Sequence, residues 1–235
     1  MTSIVSAQDL RRVYGEGGAA VTALDGVSVD FPAGAFTAIM GPSGSGKSTL
    51  MHLLAGLDRP TSGTAVLDGV DLTTLNDDAL TELRRDRVGF IFQAFNLLPV
   101  LDARENIVLP MSIAGREPDA EWVDQLIDLV GLRDRITHRP SELSGGQQQR
   151  VAVVRALASR PAVVFADEPT GNLDSAASVE ILNLLRRSVD EFGQTIIMVT
   201  HDEEAAAYAD RLLVLRDGQI VEDRVTDRAP SPAGV

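Results

Sequence analysis

No stretch of this chain limits its possible folds more than Gly41-Pro42-Ser43-Gly44-Ser45-Gly46-Lys47-Ser48-Thr49. The run fits G-x-x-x-x-G-K-[ST] and stands in the context that pattern needs. Apolar residues 36–40 before it read as a strand, and residues 50–57 after it read as a helix. Gly44 and Gly46 let the backbone take positive φ and approach an anion closely, so that successive N–H groups and a helix N-terminus converge on one phosphate. Lys47 brings a compact charge to the β- and γ-phosphates, and the Ser48 hydroxyl can reach a magnesium ion. Gly41, Pro42, Ser43, Ser45 and Thr49 complete the cradle. Lys47 is also the only lysine among 21 basic residues, the rest being arginines. A thin point charge fits here where a planar guanidinium fork does not.

The rest of the pattern says what holds this loop. Residues 36–40, 88–93, 162–167, 195–200 and 211–215 are short, apolar and mostly β-branched or aromatic. Near-continuous apolar runs belong to strands buried on both faces, so an α/β fold with a mostly parallel sheet covered by helices is expected. Residues 3–14 and 21–31 instead alternate apolar and polar across a glycine-rich gap, which predicts an antiparallel, half-exposed sheet at one edge. Tyr14, in a chain with 4% aromatic residues, is either an edge-strand residue or a face on which adenine stacks. Residues 94–159 read as a helical insertion between core segments 1–93 and 160–222, not as a second domain. Within it Pro118 begins a helix with Val123, Leu126, Ile127 and Val130 on one face, and Gly131 ends it. Asp217-Gly218 turns a hairpin into residues 219–222, and the tail 223–235, with two prolines and few apolar groups, is expected to be disordered. No internal repeat is visible.

Composition narrows the function by exclusion. With 235 residues, 44% of them hydrophobic, a large core can be filled. A net charge of -13 argues against nucleic acid as a partner and against adsorption to anionic lipid. The absence of cysteine removes disulfides, thiolate nucleophiles and sulfur-ligated metals. His52, His138 and His201 are too scattered for a zinc site, and His52 and His138 read as structural. Residues 1–14 have no apolar core after a basic patch, as a secretory signal would. No apolar stretch approaches the roughly 20 residues of a membrane helix. A soluble chain is expected, with no direct membrane insertion; any membrane work goes through a partner.

A second glycine turn lies in Leu143-Ser144-Gly145-Gly146-Gln147-Gln148-Gln149-Arg150, ahead of a helix at 151–158. Its free N–H groups and dipole make another anion site, although Ser is also an ordinary N-cap. One lysine cradle but two phosphate-seeking helix ends suggest a nucleotide completed by a second copy of the chain. At this point the sequence resembles the nucleotide-binding subunit of ABC transporters, with residues 143–150 matching that family's signature motif. The likeness covers residues 3–221. It implies a P-loop NTPase (RecA-like) core and a head-to-tail homodimer. Each ATP then lies between one subunit's Lys47 loop and the other subunit's Ser144-Gly145-Gly146 turn with Gln147.

Residues 162–168 read as a buried strand ending in two acids, Asp167 and Glu168, which are costly there unless they serve a ligand. Adjacent strand residues point to opposite faces, so the two should have different jobs. Asp167 is assigned to the magnesium shell, mostly through water, and Glu168 to the attacking water as general base. Gln93 closes the strand 88–93, where an amide could touch both magnesium and the lytic water. The resemblance makes it the Q-loop residue. His201 follows a buried strand and on its own reads as a polar cap; the resemblance makes it the switch histidine at the γ-phosphate. Gly171-Asn172-Leu173-Asp174 reads as a turn with Asp174 as a helix cap, and the resemblance makes it the D-loop of the dimer interface.

Residues 93–99, 105–110 and 166–175 resemble the macrolide-exporter and lipoprotein-release branch of these ATPases. That branch implies an integral membrane permease as partner and a position at the cytoplasmic face of the membrane. Phe95, Leu97 and Leu98 either line a groove for a permease helix or belong to the core of the insertion. Val154 departs from the expected alanine, a packing change that affects no ligand. An ATPase of this family acting on ribosomes or DNA would carry two cassettes, a long coiled coil or a basic face, and none is in the sequence. A signalling ATPase that controls a cell-wall hydrolase through a non-transporting permease stays open.

Overall fold

In the computed structural model, which describes residues 3–226, alternating and continuous apolar runs separate into two different sheets. The alternating ones come first: β1 (Ser3–Tyr14) and β2 (Val21–Pro32) pair antiparallel. Then β3 (Phe36–Met40) enters the central sheet and α1 (Lys47–Leu54) leaves it. The chain returns to the first sheet with β4 (Ser62–Leu67) and β5 (Val70–Asp71), covers itself with α2 (Asp77–Arg87), and re-enters the centre with β6 (Val88–Phe92). Helices α3 (Ala103–Ile113), α4 (Ala120–Leu129) and α5 (Gly145–Ala158) form the insertion. The remainder is β7 (Val163–Asp167), α6 (Ser175–Phe192), β8 (Ile196–Val199), α7 (Glu203–Ala206), β9 (Arg211–Arg216) and β10 (Gln219–Val225).

The strand orders are β2-β1-β4-β5 and β10-β9-β3-β8-β7-β6. In the second sheet every pair is parallel except the β9–β10 hairpin. The pleat sorts its side chains to two cores. Val163, Phe165, Ile197, Val199 and Ile39 face the core shared with α1 and the antiparallel sheet. Val164, Ala166, Ile196, Met198 and Ala38 face the core shared with α5, α6 and the insertion. Continuous apolar runs are therefore what a two-faced strand requires. The helical insertion fills one of these cores, because Trp122, Val123, Leu126 and Ile127 of α4 are buried with Val151 and Val154 of α5.

Several expectations shift. β1 is not an edge strand but lies between β2 and β4, so Tyr14 sits at the end of an interior strand. β10 runs through Val225, and Thr226 N donates to Asp210 O at 3.1 Å, so the expected tail boundary at 223 is wrong by several residues. Pairing with β9 overrides the weak apolar content there; residues 227–235 lie outside the described part. α4 starts at Ala120, because the Asp119 side chain accepts from Trp122 N and caps it, not at Pro118. α5 starts at Gly145, under a Ser144 cap, and α1 at Lys47.

Candidate active site

Parallel order brings the carboxyl ends of β3, β8, β7 and β6 side by side, and ligands of open α/β sheets collect at that edge. The loop 41–46 follows β3, His201 follows β8, Glu168 follows β7 and Gln93 follows β6. One loop and three residues singled out across about 160 positions thus share one rim.

The loop is held from behind. A Cβ on Gly41 (φ 153°) would run into the Leu215 carbonyl of β9, and Gly218 N donates to Ser45 O at 3.0 Å. Gly46 (φ 102°) caps α1 in a left-handed conformation that turns the first free N–H groups of the helix toward the loop. The buried Lys47 folds over the loop, its Nζ donating to Gly41 O at 2.7 Å and Pro42 O at 3.0 Å. The Ser45 hydroxyl is buried without a hydrogen-bond partner. A cradle of amide donors closed only by its own lysine is complementary to an anion that would take the ammonium from these carbonyls.

Asp167 ends β7, half-buried. Burial pushes its carboxyl above the usual carboxylate range, opposed by the neighbouring His52 and Lys47 and reinforced by Glu168. Glu168 sits in the left-handed region (φ 47°), with its N–H on Val199 O at 2.9 Å. Non-glycine residues stay in this region only where their surroundings hold them. That twist turns the Glu168 carboxylate onto His201 Nδ1 at 2.8 Å, and this hydrogen bond raises the imidazole above its ordinary pKa. The donors Ser48 and Asp167 suit magnesium, a hard cation that keeps its waters and takes one or two protein oxygens beside the phosphates. Among the described residues no cluster of three or more His, Asp and Glu side chains offers a self-sufficient metal cage.

Gln93 is engaged differently from expectation. Its Nε2 donates to Asn172 Oδ1 at 3.1 Å, and Asn172 Nδ2 returns a bond to Gln93 O at 3.0 Å. The amide faces the 171–174 turn in this state. Ser144, Gly145, Gly146, Asn172, Leu173 and Asp174 line a second cleft of about 400 Å³. A larger one of about 610 Å³ is walled by Gly41, Pro42 and His201. That larger cleft takes in neither Lys47 nor Glu168, and the cleft at the Ser144 turn contains no residue of the loop. In the second cleft Ser144 Oγ accepts from Gln147 N at 3.3 Å while Gln147 Oε1 accepts from Ser144 N at 2.9 Å. The Gln147 oxygen is committed to this cap, and Asp174 likewise accepts from Ala177 N at 2.9 Å. Tyr14 lies apart from both clefts. Its hydroxyl donates to Asp58 Oδ2 at 2.8 Å and the Arg12 guanidinium lies 4.4 Å over its ring.

Some residues that build the site were not singled out from the sequence. Fully buried Gln149 donates from Nε2 to Pro169 O at 2.5 Å and to Phe92 O at 3.4 Å, tying α5 to the ends of β7 and β6. A glutamine inside a glutamine run carries no local mark of that role. Asp58 and Arg12 are ordinary surface types until folding places them around Tyr14. Leu97 packs on the insertion core, as one of the two readings of this segment has it, whereas Leu98 is exposed.

A phosphate loop after the third strand, paired acids on a neighbouring strand and a serine-glycine helix tip in a separate cleft define the nucleotide-binding cassette class. The chain belongs to the ABC transporter family, whose model matches residues 24–171, and it is an ATP-binding ATPase component of that family. It is 47% identical over 232 residues to the macrolide export ATP-binding/permease protein MacB of Nitrosomonas europaea. That match takes 97% of this chain but 35% of the relative. The chain therefore spans about a third of the length of the curated MacB proteins it matches. An uncharacterized ABC transporter ATP-binding protein of Thermotoga maritima is 46% identical and matched over 94% of both chains. Among solved structures, the dimeric bacterial ABC transporter cassette MJ0796 has a TM-score of 0.85 at 39% identity, covering 94% of this chain and 98% of that one. MJ0796 is also known as a dimer in a post-hydrolysis state bound to ADP and Pi, with a TM-score of 0.84.

Proposed function

We propose that two copies of this chain close head to tail on two ATP molecules, each held between one copy's Lys47 loop and the other copy's Ser144 turn, and that their closing drives a membrane permease. The observation that carries this reading is that the cleft at the Ser144 turn is lined by no residue of the Lys47 loop, so that the second anion-seeking helix end stands apart from the first within one molecule. In this reading the amides of 41–49 and Lys47 grip the β- and γ-phosphates. Ser48 and Asp167 hold magnesium, Gln93 joining them when its amide leaves Asn172. Magnesium when bound neutralises charge on the phosphate oxygens. Tyr14 offers adenine the ring face opposite Arg12. Glu168 is the general base that takes the proton of the attacking water. His201, paired with Glu168, orients that carboxylate and reaches the γ-phosphate. Asp174 positions the 171–174 turn at the dimer contact.

No helix among the described residues is long and apolar enough to cross a membrane. The relatives named for macrolide export join ATP-binding and permease parts in one protein, which supports an exporter or extractor at the cytoplasmic membrane face. A groove of about 340 Å³ lined by Phe90, Phe92, Pro110 and Asn96 is the proposed seat for the permease. The test is Glu168→Gln. It should bind ATP with wild-type affinity, hydrolyse it at least about a hundredfold more slowly, and accumulate as an ATP-bound dimer in size-exclusion chromatography. Wild-type turnover in that variant would remove Glu168 from the base role.

A further inference from the structure

Residues 93–102 lead from β6 to α3 outside both sheets, and side chains reaching in from other elements secure them. Asn172 holds Gln93 at one end. At the other, fully buried Asn106 of α3 accepts from Leu98 N at 2.8 Å and donates to the carbonyls of Leu98, Leu101 and Asp102 at 3.1, 3.2 and 2.9 Å. Between them stands a bend of two consecutive non-glycine residues in the left-handed region, Phe95 (φ 60°) and Asn96 (φ 51°). Asparagine tolerates that region and phenylalanine does not, so the bend persists only because something holds it.

The holder is Arg155 on α5. Its NH2 donates to Phe95 O at 2.8 Å and its NH1 to Asn96 O at 2.6 Å. It is half-buried and makes no ion pair among the described residues, and burial lowers its pKa from the ordinary arginine value. A planar guanidinium meets two successive carbonyls with N–H groups on two separate nitrogens held at a fixed spacing, which the single nitrogen of an ammonium does not provide. The helix that carries it is rigid, with Val151, Ala152, Val153, Val154, Ala156 and Leu157 all buried, and it begins at the Ser144 turn. We propose that Arg155 is a positioning residue that locks the bend after Gln93 to the helix bearing the Ser144 turn, so that the two move as one unit. The inference rests on the reading of Gln93 given above. Arg155 touches no reacting atom; it sets where the Gln93 backbone leaves β6.

The experiment measures ATPase steady state on the full chain for Gln93→Ala, Arg155→Met, Arg155→Lys, Asn96→Gly and the double variant Arg155→Met/Asn96→Gly, with thermal midpoints alongside. Arg155→Met should lower kcat about tenfold or more while KM for ATP stays within about twofold, because positioning and not nucleotide grip is lost. Arg155→Lys should fall in between. Glycine takes the left-handed conformation still more readily than asparagine, so Asn96→Gly should recover a small part of kcat in the Arg155→Met background, Phe95 keeping its strain, while doing little alone. A purely structural role would instead lower the thermal midpoint and leave kcat of the folded fraction intact, which would overturn the proposal. Should Arg155→Met fail to fold, Arg155→Lys and its Asn96→Gly double carry the same comparison. If Gln93→Ala loses kcat and the Arg155 variants do not, the lock is wrong and the reading of Gln93 stands. If Gln93→Ala keeps kcat, that reading falls, and the lock as stated falls with it.

Discussion

At the scale of single residues the informative contact is His201 Nδ1 on Glu168 Oε1, between side chains 33 positions apart. Each was visible as a polar group ending an apolar run, but nothing in the sequence says that they meet, since the pairing depends on the β7–β8 register and on the left-handed turn at Glu168. The contact titrates. Hydrogen bonding to Glu168 and then its charge raise the His201 pKa, so the imidazolium persists above the ordinary value of about 6.5. A raised folded-state pKa contributes stability that is fully present below the unfolded value and is lost as pH rises through the folded one. With the imidazole 74% exposed, solvent screening keeps that contribution small. The expected outcome is a His201 midpoint, read by NMR and assigned with His201→Asn, above the ordinary histidine range in the nucleotide-free chain. Glu168→Gln should return it toward that range. A midpoint unmoved by that substitution would mean that the pair does not form in solution.

At the scale of elements, legibility followed how much apolar surface each element buries. The five central strands were readable because burial on both faces leaves continuous apolar runs. α2 was not, since in DDALTELRRDR only Leu80 is buried and its start rests on the Asn76 cap. α3 went unread although Asp102 and Glu105 spell a capping box, because Pro110 inside it speaks against a helix. In the structure the Asp102 side chain accepts from Glu105 N at 2.8 Å and Glu105 Oε2 accepts from Asp102 N at 2.9 Å. The cap thus nucleates a helix whose last turn lacks one backbone donor. Asp102→Ala should therefore destabilise the protein by about 1 kcal/mol in denaturant titration. It should leave the slope of that titration unchanged, because the surface exposed on unfolding is the same. A loss of no more than a tenth or two of a kcal/mol would show that other contacts of α3, chiefly Asn106, set its start.

At the scale of the whole molecule, the order β10-β9-β3-β8-β7-β6 was beyond local reading, because parallel neighbours are joined by long crossovers and no turn motif records which strand lies beside which. That order aligns the Lys47 loop, Glu168 and His201 on one rim, while the insertion carries the Ser144 turn to a cleft of its own. In the head-to-tail dimer proposed above there are two composite sites, each needing a lysine from one copy and a serine turn from the other. Lys47→Ala homodimers then have no grip at either site, and Ser144→Arg homodimers have a bulky cation at both helix tips. Mixing the two chains one to one gives hetero-pairs in half of the dimers, and each hetero-pair contains one intact site and one doubly defective one. With independent sites the mixture should recover about a quarter of wild-type ATPase activity. If the two sites must fire together, the recovered rate falls below that figure but still exceeds either homodimer. A mixture no more active than its separate components, at concentrations where light scattering shows hetero-pairs, would mean that each chain completes its own nucleotide site.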